Sequence, residues 1–223
     1  MRARNPDAEE ISSRILRNLS LGYCSNWRNH LARCAFHRNR SITSCRSNDH
    51  DFGTRTFLRC ALNPAVSLAF LILKKISLKT FIAYVGWQLV GGAFGALTLK
   101  AIYTQKVAAE VKNGVPAMSP QATYLTGFVL ELVMTAILVL VILLTTQDKA
   151  NKNAASAPIA IALTIFVLIL ITGPIEGTGI NPARWFGPAI AGGYWDNWTI
   201  YVIAPLLGGA LGAFSFRALA VHK

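Results

Sequence analysis

Apolar and polar residues are sorted unevenly along this chain. Beyond about residue 62, four long apolar runs alternate with short polar stretches. They are roughly Thr80–Tyr103, Thr123–Thr146, Ala154–Gly173 and Trp198–Ala220. Each reaches the roughly 20 residues a helix needs to cross the hydrocarbon core of a bilayer. The second run carries a single charge, Glu131. Buried helices of a large soluble core are the competing source of such runs. Four of them in so short a stretch, with little amphipathic helix between, point to lipid instead. The pattern predicts an all-α, multi-pass integral membrane protein.

Composition divides the chain at the same place. Residues 1–62 hold all four cysteines, eleven arginines and no lysine; residues 63–223 hold no cysteine, nine lysines and two arginines, Arg184 and Arg217. The net charge of +12 splits evenly, so it is dense in the first part and dilute in the second. Two regions are expected: 1–61, a segment that is disordered or an out-of-frame reading, and 62–223, the membrane domain. The first has no run long enough to span and no secretory leader pattern. Its cysteine spacing fits no metal-site pattern, so no metal is expected. Its arginines are scattered, with few aromatics between them, which argues against nucleic acid as a partner. After residue 62 there is no Cys/His base pair, metal cluster or carboxylate dyad. Neither an enzyme nor a cofactor is expected.

Within the membrane domain the sequence repeats. Asn-Pro-Ala occurs at Asn63, Pro64, Ala65 and again at Asn181, Pro182, Ala183, 118 residues later. The first copy is followed by GGAFGA at Gly91–Ala96 and the second by GGALGA at Gly208–Ala213, at almost the same offset. Small-residue spacing alone is a common packing device, but its recurrence at one offset from one tripeptide marks a duplication. Three spans lie between the tripeptides, an odd number, so the second unit enters the membrane inverted relative to the first. The second unit reads span, span, tripeptide, span. The first offers only its tripeptide and one span, with residues 1–62 where two more are expected.

Each tripeptide reads as a helix start. Asn is a favoured N-cap, and Pro suits the first turn because it lacks an N–H that would be unpaired there. The apolar stretches that follow are too short to span. Two half-helices entering from opposite faces would meet near the midplane with both positive ends converging. Backbone at that depth is tolerated only where it lines a wet cavity or is packed in protein. Asn63 and Asn181 would then offer amide donors to a passing water, and the converging dipoles would disfavour cations. Arg184, one turn after Asn181 and set in apolar sequence, is a functional candidate; the plain alternative is a snorkelling surface arginine. Glu131 is expected to accept from the backbone of an irregular re-entrant loop.

LNPAVSLAF, GWQLVGGAFGA, TGFVLELVMTAILVLVIL, APIAIALTIFVLILITGP and GTGINPARWFGPA together resemble the aquaporin, or major intrinsic protein, family. The resemblance covers about residues 62–220. It implies an inverted-repeat bundle of six spans and two half-helices, here lacking recognisable first and second spans. It also implies a homotetramer with one pore per subunit, passing water and possible small neutral solutes. Trp185, where glycerol conductors carry Asp, and the small Ala189 are similar to water channels. Tyr201 fits the family pattern and Val202 departs from it. In the narrow filter the resemblance assigns Arg184, Thr178 and Ile169. An aliphatic residue at the Ile169 position resembles plant vacuolar members, some of which pass ammonia or urea, so strict water selectivity is not implied.

Where the family carries a motif like T-L-G-H-x-S-G-A-H, this chain has DFGTRTFLRCAL. An out-of-frame reading over about residues 10–62, or a mis-chosen exon, is expected to account for this segment; the alternative is a genuine, divergent cytoplasmic arm on a reduced four-span protein. The alternative function is a non-conducting, truncated remnant or membrane scaffold. Lys74, Lys75 and Lys79, with Lys149 and Lys152, put their segments on the cytoplasmic side.

Overall fold

A computed structural model describes residues 61–147 and 156–221. The predicted N-terminal segment, apart from Ala61, and the loop holding Lys149 and Lys152 lie outside the described residues. The elements are α1 (Pro64–Ile72), α2 (Leu78–Ile102), α3 (Gln105–Glu110), α4 (Tyr124–Thr146), α5 (Ala157–Glu176), α6 (Pro182–Gly192) and α7 (Trp198–Val221), with a short 3-10 turn at Lys112–Gly114. Every regular element among the described residues is helical. Helices α2, α4, α5 and α7 are each long and apolar enough to cross a membrane, and the protein is a multi-pass integral membrane protein.

Local chemistry sets the boundaries. Ser77 and Thr123 accept from Thr80 and Thr126 N–H at 3.1 and 3.2 Å, which fixes where α2 and α4 begin by pairing otherwise orphaned donors. Gly177 at φ 81° ends α5, and Gly193 at φ 75° ends α6, since glycine enters the left-handed region without a Cβ clash. The carbonyl of Ala191, in the last turn of α6, accepts from Lys100 Nζ at 2.6 Å, placing a cation at the negative end of the helix.

The two half-helices are seated by equivalent glycines. Gly92 of α2 lies so close to α6 that a Cβ there would come within 2.6 Å of the Ala183 carbonyl oxygen. Gly209 of α7 lies likewise against α1, where a Cβ would come within 2.5 Å of the Ala65 carbonyl oxygen. Each glycine belongs to its own copy of the Gly box, and each carbonyl to its own Asn-Pro-Ala. The duplication in sequence is therefore a duplication in packing. Around α1 an apolar cluster of Val66, Phe70, Val139, Leu143 and Leu168 is closed from solvent. A second cluster sets Trp185 of α6 parallel to Tyr201 of α7, with centroids 6.3 Å apart. Both half-helices are thus held by buried side chains on one side and by backbone contact on another.

Candidate functional site

Asn63 and Asn181 use their side chains twice. As N-caps, Asn63 Oδ1 accepts from Ala65 N–H at 2.9 Å, and Asn181 Oδ1 accepts from Ala183 and Arg184 N–H at 3.0 and 3.3 Å. That use of the oxygen turns each amide nitrogen away from its own helix. Asn63 Nδ2 donates to the Ile180 carbonyl at 2.8 Å, and Asn181 Nδ2 donates to the Leu62 carbonyl at 3.1 Å. The bonds are reciprocal: each tip is tied to the residue just before the other. The N-termini of α1 and α6 therefore abut, although 117 residues separate Asn63 from Ile180. A carboxamide has two N–H donors, so each Asn retains one beyond its cross-link.

The approach to α6 is strained. Thr178 and Ile180 stand at φ 49° and 44°, a region in which a β-branched residue costs on the order of 1–3 kcal/mol. Glu131 of α4 holds them. Its two carboxylate oxygens accept from Gly179 N–H and from Ile180 N–H, the latter at 2.7 Å. Glu131 is 0% exposed, so these bonds are buried, and losing them would leave two backbone donors unpaired. Gly179 has no room for a side chain between Glu131 and the Tyr201 ring. The carboxylate thus fixes the loop through the backbone.

The remaining candidate residues lie on this loop and on the helices that flank it, α5 and α6. Thr178 is buried, with its hydroxyl 2.7 Å from that of Thr172. Gly173 lies between Thr178 and Ile169: a Cβ at Gly173 would be 3.7 Å from Thr178 Oγ1 and 3.8 Å from Ile169 Cγ2. Ile169 itself is 49% exposed. Arg184 projects from the first turn of α6, and its Nη1 donates to the Gly114 carbonyl at 2.8 Å. Gly114, at the end of the 3-10 turn, thereby ties the α2–α4 connection to the arginine.

Two participants were not singled out from sequence. Glu176 is fully buried at the end of α5, because that helix runs three residues past Gly173 and carries Pro174 in its interior. Its backbone carbonyl accepts from the Tyr201 hydroxyl at 2.7 Å. The signal was an acid two residues before Thr178, overlooked because Gly-Pro reads as a helix stop. Gln88 of α2 donates to the Ala61 carbonyl at 2.9 Å and to Ser67 Oγ at 2.8 Å. It steadies the approach to α1 as Glu131 steadies the approach to α6. Among the described residues no group of His, Cys, Asp or Glu is placed to hold a metal ion.

The family model described as Major intrinsic protein matches residues 60–216. Among curated proteins, the chain is similar to probable aquaporin TIP3-2 of Arabidopsis thaliana, with 36% identity over 72% of this chain and 58% of that protein. It is similar also to aquaporin NIP3-1 of Arabidopsis thaliana, with 34% identity over 72% of this chain and 50% of that protein. The lens fiber major intrinsic protein of Gallus gallus is 32% identical over 70% of this chain and 59% of that protein. The chain thus spans between half and three-fifths of the length of these relatives. Among solved structures it is similar to the aquaglyceroporin from Plasmodium falciparum, with a TM-score of 0.63 and 25% identity over 73% of this chain and 75% of that one. By fold, by the paired Asn-Pro-Ala helix starts and by these matches, the chain belongs to the major intrinsic protein family.

Proposed function

We propose that this chain forms the midplane of a passive membrane channel for water and small neutral solutes. The reciprocal pairing of Asn63 with the Ile180 carbonyl and Asn181 with the Leu62 carbonyl carries the reading. It aims two helix N-termini at one point, each with about half a positive charge, and leaves one amide donor per Asn free. A water reaching that point accepts from both asparagines, which turns its oxygen toward them and breaks the chain of donors ahead of and behind it. A cation meets the converging dipoles and is disfavoured. Pro64, Ala65, Pro182 and Ala183 serve by starting the half-helices where they do.

In this reading Arg184, Thr178 and Ile169 form the narrower filter. Arg184 contributes a fixed charge and a donor fork. Thr178 offers backbone and hydroxyl, and Ile169 supplies an apolar wall that does not select water by hydrogen bonding. Glu131 acts on the filter loop and does not meet the solute. No bond is made or broken, so no catalytic group or cofactor is involved. Assembly into four copies, as the resemblance implies, belongs to the same reading.

Stopped-flow light scattering on vesicles containing the purified chain tests it. The expected result is osmotic water permeability several-fold above protein-free vesicles, with a low activation energy. Permeability equal to that of empty vesicles overturns it and favours the remnant or scaffold.

A further inference from the structure

We infer that Glu131 and Glu176 form a buried acid pair that holds one proton between its carboxyl groups. Through that proton Glu176 is a second positioning residue for the loop before α6. Two features of the Glu176 side chain have no account in its backbone bond to Tyr201. It is 0% exposed, and neither Oε1 nor Oε2 meets a hydrogen-bond donor among the described residues. Buried acceptors are normally paired, and one left without a partner is costly. The group that Glu176 does face is the Glu131 carboxyl, itself 0% exposed. Two ionised carboxylates are acceptors only, so this contact holds together when a proton lies in it.

The surroundings offer Glu176 no other donor. It is the last residue of α5, where helix carbonyls present the negative end of the dipole and disfavour a further negative charge. Residues 116–119 pack on the same helix end. Ser119 N–H donates to the Ile175 carbonyl at 2.8 Å, and a Cβ at Gly177 would come within 2.7 Å of the Ala117 nitrogen. That segment, Pro-Ala-Met-Ser, carries no charge. The Tyr201 hydroxyl on α7 is spent on the Glu176 backbone carbonyl. Arg184, the charged residue of α6, gives Nη1 to the Gly114 carbonyl. Arg184 and Tyr201 are the ionisable groups that act on the pair from α6 and α7. Glu131 and Glu176 are the charged residues of α4 and α5.

One proton is the number these groups call for. Two like charges side by side in a buried site do not both ionise. A first proton removes one charge and supplies the donor that Glu176 lacks. A second is not needed: the Gly179 and Ile180 N–H groups already point at Glu131, and the field of Arg184 favours one remaining negative charge. The proton belongs to the pair and not to either residue. It ties the end of α5 to the carboxyl that fixes Gly179 and Ile180, so three elements are locked at one point. As pH rises and the proton leaves, the two carboxylates repel, and the grip on the loop loosens.

The bearing of the pair on a filter rests on the function proposed above; the proton does not, and its test needs no transport. Infrared spectra are taken of the purified full chain in an ester-free detergent. At neutral pH the unmodified chain is expected to show the carbonyl band of a protonated carboxyl, with the intensity of one acid and a shift in heavy water. In Glu176→Gln the side-chain amide donates to Glu131 in the proton's place, and the band is expected to vanish. Amide exchange at Gly179 and Ile180, corrected for its intrinsic pH dependence, gives a second readout. From neutral to alkaline pH it is expected to accelerate about tenfold in the unmodified chain and to stay level in Glu176→Gln. Absence of the band overturns the inference in favour of two ionised acids bridged by a cation or water, and needs no variant to fold. The intensity of two acids overturns it in favour of two neutral ones. A band that persists in Glu176→Gln gives the proton to Glu131 alone and also overturns it. Parallel pH profiles in the two proteins remove Glu176 from the loop's support. A chain that shows the band but does not conduct loses the proposed function and keeps the pair.

Discussion

The Asn63 amide donates to the Ile180 carbonyl at 2.8 Å, tying the tip of one half-helix to the strained approach of the other. With the reciprocal bond from Asn181 to Leu62 at 3.1 Å, the two halves of the duplication are joined at their centre by four groups. Asn63→Ala removes a cap and this cross-link together, and is expected to destabilise the protein by about 2 kcal/mol. Asn181→Ala is expected to cost about 1–2 kcal/mol. Because both variants loosen the same pair of tips, the double variant should fall short of additivity by about 0.5–1 kcal/mol. Unfolding in detergent measures all three, and strict additivity would show the tips to be independent.

Glu131→Ala strands two buried N–H groups, those of Gly179 and Ile180, at a cost of about 2–5 kcal/mol. Glu131→Gln keeps one acceptor but sets an NH2 group against the other N–H, and should recover only part of the loss. Amide hydrogen exchange at Gly179 and Ile180 is the direct readout. Exchange should accelerate in both variants, more in the alanine one; unchanged protection at both amides would remove the carboxylate from the loop's support.

Gly92→Ala and Gly209→Ala each drive a methyl group into a backbone carbonyl, and overpacking of this kind costs about 1–3 kcal/mol. Gly86→Ala meets nothing within 4 Å and should stabilise α2 by up to about 1 kcal/mol through helix propensity. Thermal unfolding of the three single variants should separate them by sign.

Arg184→Ala removes the fixed charge of the proposed filter and frees the Gly114 carbonyl it now engages. In vesicles loaded with a pH-sensitive dye, proton leakage should rise several-fold above the unmodified chain, because one barrier to cations is gone. Arg184→Lys, which retains charge without the planar fork, should leak less than the alanine variant. Equal leakage in all three proteins would separate Arg184 from cation exclusion.

The membrane spans could be read from apolar length, and their observed ends differ from the expected ones by about three residues at most, as at Ala157–Glu176. The half-helices could be read because Asn followed by Pro is a local signal, and the N-cap bonds it predicts are local bonds. What lay beyond reach was long-range or overrode a local rule. The cross-link from Asn63 to Ile180 joins residues whose separation no periodicity reports. Glu176 was hidden by Pro174, since a proline inside a helix costs a bond and normally ends it; here the helix continues to a glycine cap at Gly177. The short helix Gln105–Glu110 has too few residues for an apolar stripe, so only its Thr104 cap hinted at it.

The left-handed Thr178 and Ile180 also bear on the order of biogenesis. Their conformation is held from α4, by Glu131, and Gly179 is hemmed in by Tyr201 of α7. When the ribosome has made residues up to Gly192, the first of these supports exists and the second does not. The re-entrant segment should therefore dwell near the translocon's aqueous side and settle to its final depth only after Tyr201 has emerged. A nascent chain stopped before Trp198 would leave Asn181 within reach of a water-soluble label, and one extended through α7 would withdraw it.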